Sequence, residues 1–313
     1  MLMLYTFLLY ALFASVFTVA KTGLEYASPF FLLGSRMLLA GVLLIGYQVL
    51  IKKEPMVFKR GIWKRVLMLA FFNIYLTNAC EFWGLQYLSS FKTCFIYSLS
   101  PFVSALFCYY MFTDSMSLKK WAGLLVGFAG FLPILLTQTS TEDLSGGFLF
   151  FSWAELAVIV AAVSSVYGWI LLKQLVKEDS LSFLTANGLS MLIGGALALA
   201  HSSMVEQWDP IPVTEFMPYL ECTLLLIVIS NMICYNLYGW LLKRYSPVFL
   251  SFAGFTTPLF SAFFGWLFLG EIVTWPFYVS FVIVLAGLVL FDQEELRQSY
   301  RGAFTSAPKP VES

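Results

Sequence analysis

Glu81 is an acid inside an apolar run, NIYLTNACEFWGLQYL at 73–88, and the polar residues near it are spaced for one helical face. Asn73, Thr77 and Glu81 are four apart and Asn78 lies three before Glu81, so a helix carries all four on one side. A charge at the centre of a bilayer costs about 2.5 to 3.5 kcal/mol on insertion scales. The stripe is therefore expected to face a cavity rather than lipid; the plain alternative is a structural hydrogen-bond cluster between helices. Two more charges lie in apolar surroundings. Glu155 falls seven residues into a helix expected over 148–172, and Arg36 lies at a similar depth, where it can pair with Glu81 or Glu155 because a lone buried charge is costly. Lys92 and Glu221 sit near run ends and are expected to snorkel to headgroups. Together these five charges outline an external vestibule.

Asn231, Tyr235 and Tyr238 follow helical spacing with Asn236 beside them, a second polar stripe. A carboxylate balances a cation, a guanidinium clamps a carboxylate bidentately, and aromatic faces attract cations and stack on flat rings. Glu81, Asn78, Arg36, Glu155, Tyr97, Trp83, Asn231 and Tyr235 are thus the candidate substrate-binding set. Phe102, Trp153, Tyr167 and Trp169 are further aromatics near the acids, although any one aromatic in such a chain is more often packing or an interfacial belt residue. Pro101 and Pro258 are expected mid-span, where a missing N–H kinks a helix, and are candidate gating points.

These residues need a scaffold. The chain is 60% hydrophobic and 12% charged, about half the charged fraction of soluble domains, which implies a polytopic membrane protein. Charge-free stretches such as 222–242 and 245–270 reach the roughly 20 residues that cross a bilayer as helix. Apolar runs and their breaks predict spans near 3–20, 30–51, 66–83, 91–112, 121–138, 148–172, 181–200, 219–241, 248–269 and 274–291. The first is read as a helix because the N-terminus lacks the basic start of a cleavable signal peptide. With the N-terminus cytoplasmic, inner loops carry most of the 18 Lys and Arg, and outer loops only Lys21 and Lys92. The positive-inside rule then sets both termini in the cytoplasm.

SLSPFVSALF at 98–107 aligns with FTTPLFSAFF at 255–264, 157 residues on, with Pro101 on Pro258, Ser104 on Ser261, Asp114 on Glu271, Gly130 on Gly287, and upstream Ser89 on Ser246. Two halves of five spans each must enter the membrane from opposite sides. The expected fold is an all-α membrane protein of ten transmembrane helices in two inverted repeats, 1–138 and 148–291, with a polar tail over 292–313. Gly123, Gly127 and Gly130 provide the small-residue spacing for close helix packing, within the chain or in a homodimer.

Several classes are excluded. No G-x-x-x-x-G-K-[ST] loop is present, so the chain does not hydrolyse nucleotide to drive transport. His201, expected in an outer loop, has no metal-ligand neighbours, and the five cysteines form no C-x-x-C pair, so neither metal nor other cofactor is expected. Net charge is zero, which gives no reason to expect nucleic acid. An enzyme using Glu81 and Glu155 as acid and base is disfavoured by the short loops, and a channel would need a continuous polar pore.

The two-half layout, and above all TTPLFSAFFGWLFLGEIVTWPFYVSFVIVLAGLVLF at 256–291, resembles the EamA domains of the drug/metabolite transporter superfamily. The first half departs from the pattern, with FTD at 112–114 where the second has LGE. Overall sequence, rich in Phe and Tyr, is more similar to the S-adenosylmethionine/S-adenosylhomocysteine transporters of intracellular bacteria. That resemblance implies a small-molecule carrier in the bacterial inner membrane, taking up S-adenosylmethionine and exporting its demethylated product; the wider superfamily also carries amino acids and other metabolites.

Overall fold

In lipid a backbone can satisfy its hydrogen bonds only within helices or a closed barrel, and the computed structural model is helical. It describes residues 2–53, 61–112, 117–136, 147–148, 151–179, 181–243, 245, 250 and 253–305. The helices are α1 (Leu2–Leu24), α2 (Pro29–Ile51), α3 (Ile62–Tyr87), α4 (Ser90–Ile96), α5 (Ser100–Phe112), α6 (Leu118–Gly130), α7 (Leu132–Leu135), α8 (Trp153–Lys177), α9 (Phe183–Val205), α10 (Phe216–Leu242), α11 (Thr257–Leu269) and α12 (Trp275–Thr305). A two-residue hairpin, β1 (Gly147–Phe148) with β2 (Phe151–Ser152), precedes α8. Six helices, α1, α2, α3, α8, α9 and α10, are long and apolar enough to cross a membrane, while Gly254–Leu269 and Trp275–Leu290 form shorter apolar helices. The chain is a multi-pass membrane protein.

Irregular turns recur along the chain. Residues Ala70–Leu76 within α3 and Ile227–Cys234 within α10 are wound as π-helix, and Tyr97–Leu99 and Gly254–Thr256 as 3-10 helix. Each second segment begins 157 residues after its partner, since 70 + 157 = 227 and 97 + 157 = 254. Pro101 and Pro258 follow the 3-10 turns as the second residues of α5 and α11. They do not kink a continuous α-helix as the sequence suggests; they occupy a first turn, where the missing N–H would lack an intrahelical partner anyway. Asp114 and Ser246 of the sequence alignment lie outside the described residues.

Helix ends are closed by charged side chains from elsewhere in the chain. Glu206, just past α9, accepts from the backbone N–H of Phe30 at 2.7 Å and of Phe31 at 3.0 Å, at the start of α2. Glu271 accepts from the Ser90 N–H and hydroxyl, both at 2.6 Å, at the start of α4. The Lys21 ammonium donates to the Leu85 and Leu88 carbonyls where α3 ends. Each places charge where it complements a helix dipole.

Three expectations are corrected here. Glu155 is not deep within its helix: α8 starts at Trp153, and Glu155 and Ser152 form a capping box, each side chain bonded to the other's backbone N–H. Lys92 does not snorkel; it is 1% exposed and forms an ion pair with Glu155 at 2.8 Å. Once Glu155 is buried in a helix cap, its charge is best met by a buried cation. His201 lies in the last turns of α9 rather than in a loop, its Nδ1 3.1 Å from the Tyr75 hydroxyl and its ring 4.1 Å from that of Phe30.

By contacts the chain divides into two units, Met1–Ser104 with Gln138–Val273, and Ala105–Thr137 with Thr274–Ser313. In the first, α2 and α9 approach through glycines: a Cβ on Gly41 would lie 2.9 Å from the Gly188 carbonyl oxygen, and one on Gly195 2.8 Å from the Leu38 nitrogen. In the second, α6 and α12 do the same, and a Cβ on Gly287 would lie 2.5 Å from the Gly127 nitrogen and 2.7 Å from the Gly123 oxygen. The Gly123/Gly127/Gly130 stripe therefore packs within the chain. Small residues let backbones meet where lipid offers no hydrophobic drive to association.

Candidate functional site

The first unit encloses a cavity with about 870 Å³ of atom-free space, part of it continuous with the outside. Its wall is built chiefly by α1, α2, α3, α8 and α10 with the two 3-10 turns, and α4, α5 and α11 add Cys94, Ser100 and Thr257.

Arg36 from α2 is 1% exposed and lines this cavity. One guanidinium nitrogen, Nη2, donates to Asn78 Oδ1 at 2.7 Å, and the guanidinium carbon lies 4.4 Å from the centre of the Phe82 ring. Nε and Nη1 have no hydrogen-bond partner among the described residues. Buried donors without acceptors are costly. Nε–H and Nη1–H leave the guanidinium on different sides, so the charge keeps open donors for an anionic group of a bound cargo.

Asn78 owes its place to the π turn below it. A π segment shifts the backbone bonds to i→i+5 and leaves carbonyls imperfectly used. The Asn78 amide donates to the carbonyls of Asn73 at 3.2 Å and Ile74 at 2.8 Å, and Thr77 donates to that of Phe72 at 2.7 Å. The same device recurs in α10, where the Asn236 amide donates to Asn231 and Met232 at 3.1 and 2.9 Å. The extra residue in the π turn also breaks the even stripe read from the sequence. Asn73 leaves the cavity face and packs against α8, where a Cβ on Gly168 would be 2.3 Å from the Asn73 Cβ.

Glu81, 8% exposed, accepts from the Tyr97 hydroxyl at 2.5 Å. Neither Arg36–Glu81 nor Arg36–Glu155 comes within the 4.0 Å of an ion pair, contrary to the pairing read from the sequence. Glu155 has taken Lys92 instead. The cavity therefore keeps a carboxylate and a guanidinium that do not neutralise each other by direct contact, an arrangement suited to a ligand carrying both signs.

Of the candidate set, Arg36, Asn78, Glu81, Tyr97 and Tyr235 come together around the cavity. Glu155, Trp83 and Asn231 do not line it. Trp83 packs on Tyr87 with ring centres 5.3 Å apart, and the Asn231 amide points to the Met37 sulfur at 3.0 Å. Among the other aromatics only Trp169 reaches the wall; Phe102, Trp153 and Tyr167 do not. The sequence reading missed Tyr10, Phe13 and Phe17 of α1. Their signal was the three- and four-residue spacing of large aromatics on one face of the first helix.

A family model for the EamA-like transporter family matches residues 1–136 and 152–291. The chain belongs to this family. Among similar proteins, the S-adenosylmethionine/S-adenosylhomocysteine transporter of Chlamydia muridarum is 41% identical over 92% of this chain and 91% of its own length. The transporter of the same name from Chlamydia trachomatis serovar L2 is 40% identical over 92% of this chain and 88% of its own. A solved structure described only as the crystal structure of a protein superposes with a TM-score of 0.65, covering 95% of this chain and 96% of that one at 15% identity. That likeness concerns the fold alone.

Proposed function

We propose that this protein is a secondary transporter of the cell inner membrane that exchanges S-adenosylmethionine, taken up, for S-adenosylhomocysteine, released. The carrying observation is the 40 to 41% identity over 92% of the chain to Chlamydia transporters named for this pair. The cavity chemistry supports it. S-adenosylmethionine bears a carboxylate, an ammonium, a sulfonium and an adenine. Arg36 offers two unpartnered donors to the carboxylate, Glu81 balances a cation, and the aromatic wall suits both sulfonium and purine.

Exchange requires a scaffold open alternately to either side. Ten transmembrane helices in two inverted repeats provide one, and the recurrence of π and 3-10 turns at one fixed displacement supports that reading. Both termini are cytoplasmic on the Lys and Arg distribution. The cargo is the partner; neither nucleic acid nor catalysis enters, and any homodimer would use a surface other than the Gly123/Gly127/Gly130 stripe.

The sulfonium contributes about 0.5 to 2 kcal/mol on an aromatic face, so the neutral product binds within roughly thirtyfold of the substrate and both are carried. In proteoliposomes, labelled S-adenosylmethionine is expected to enter saturably, to be inhibited by S-adenosylhomocysteine, and to enter faster when vesicles are preloaded with it. Competition by ordinary amino acids or nucleosides, with none by these two compounds, would leave only a general metabolite carrier.

A further inference from the structure

The cavity is chemically uneven from end to end. α1 serves as its ruler, because Phe17, Phe13 and Tyr10 face the cavity in turn over seven residues, about 10 Å at 1.5 Å per residue. At the Phe17 end lie the ionic groups. The Phe17 ring is 5.6 Å from that of Tyr97, whose hydroxyl holds Glu81. At the Phe13 and Tyr10 end the wall is aromatic. Phe13 is 6.4 Å from Tyr238, and Tyr238 packs against Trp169 with ring centres 4.1 Å apart and planes tilted by 30°. Trp169 is also braced by Tyr235 at 5.2 Å. Tyr10 is itself fixed, its hydroxyl donating to the Leu250 carbonyl.

Resting on the exchange function proposed above, we infer that the cargo binds in one direction, with its amino-acid end at Arg36 and Glu81 and its purine against the Trp169–Tyr238 pair. Trp169 and Tyr238 are then specificity-determining residues for the nucleobase. The physical reason is the division of labour: a carboxylate needs the open guanidinium donors, and Arg36 is the one cation among the described cavity-lining residues. A purine needs a flat face already held in place, and rings braced on two sides lose little freedom when a base stacks on them. Phe13, in edge contact with Tyr238, and Tyr10 line the same end. Ribose and the sulfur centre span the interval between the two ends, beside Tyr235 and Thr77.

Photolabelling of the full-length native protein tests the direction. An 8-azidoadenine derivative of S-adenosylhomocysteine, irradiated with the protein in proteoliposomes, is expected to attach to peptides containing Trp169, Tyr238 or Tyr10, and excess unlabelled S-adenosylhomocysteine should abolish the attachment. Protected labelling confined to the Arg36, Glu81 or Tyr97 peptides reverses the direction and overturns the inference while leaving the exchange function standing. Absence of any label that S-adenosylhomocysteine protects sinks the exchange reading itself. A second measurement uses Trp169→Phe and Trp169→Leu. Loss of the ring should raise KM for S-adenosylmethionine by about tenfold or more, the scale of base-on-ring stacking, with recovery in the Phe variant. Equal KM in the Leu and Phe variants and the native chain would overturn the assignment.

Discussion

Asn78 and Tyr235 are separated by 157 residues, and their side chains meet, Asn78 Nδ2 lying 3.3 Å from the Tyr235 hydroxyl. The same displacement relates the two π turns and the two 3-10 turns. The contact therefore joins equivalent positions of α3 and α10 at the cavity wall. Asn78 also bonds Arg36 through its oxygen and the α3 π turn through its nitrogen. One side chain thus links a charged cavity group to an irregular stretch of backbone.

This dual attachment separates Asn78 from Asn236, which holds the α10 π turn but accepts from Asn187 rather than from an arginine. Leucine at either position leaves π-turn carbonyls without a donor, at about 1 to 3 kcal/mol per buried group. Both Asn78→Leu and Asn236→Leu should lower the melting temperature of the purified protein. Only Asn78→Leu should also raise KM severalfold, and equal KM changes in the two would remove the positioning role.

Glu81 lies in the cavity on a single Tyr97 hydroxyl. Glu81→Gln is expected to reduce uptake at least tenfold at unchanged membrane abundance. Tyr97→Phe removes a hydrogen bond to a charged acceptor, on the order of 1.5 to 3 kcal/mol, and should follow in the same direction. A parallel fall of abundance and uptake, read by immunoblot and transport, would mark the acid as structural.

For Arg36 the geometry distinguishes charge from shape. Arg36→Ala should abolish uptake, and Arg36→Lys should restore only part of it, because a compact ammonium cannot hold Asn78 and at the same time reproduce the planar spread of donors that the guanidinium keeps open. Full uptake by the lysine variant would reduce Arg36 to a balancing charge.

The Lys92–Glu155 pair is 1% exposed on both sides. Removing one member leaves a buried charge unmatched, at about 3 to 5 kcal/mol, whereas removing both is far less damaging. Lys92→Met should therefore lose much of its folded yield in size-exclusion chromatography. Combining it with Glu155→Gln, which keeps an acceptor for the Ser152 cap, should recover most of it.

Apolar runs, loop charges and the aligned prolines carry the membrane class and the repeat period in plain view, because hydropathy and spacing are properties of consecutive residues. Glu81 and Arg36 stood out for the same reason: a charge in a hydrocarbon run is conspicuous wherever the chain goes. Their relation to each other was not readable. In the linear sequence Arg36 can neutralise Glu81 or Glu155, whereas the folded chain gives Glu155 to Lys92 and Arg36 to Asn78. Pairing depends on which helices pack side by side, and glycines such as Gly41 and Gly195 decide that approach only once the partner backbone is present. The π turn has no sequence mark, so Asn73 and Glu81 share one stripe only on a regular 3.6-residue helix; the wider π turn rotates Asn73 onto Gly168 and leaves Asn78 and Glu81 facing the cavity. The first helix shows the converse. Its aromatics look like lipid-facing bulk in the linear chain, and Tyr10, Phe13 and Phe17 become cavity wall because α1 lies against α10 and the 3-10 turns, an adjacency set by tertiary packing.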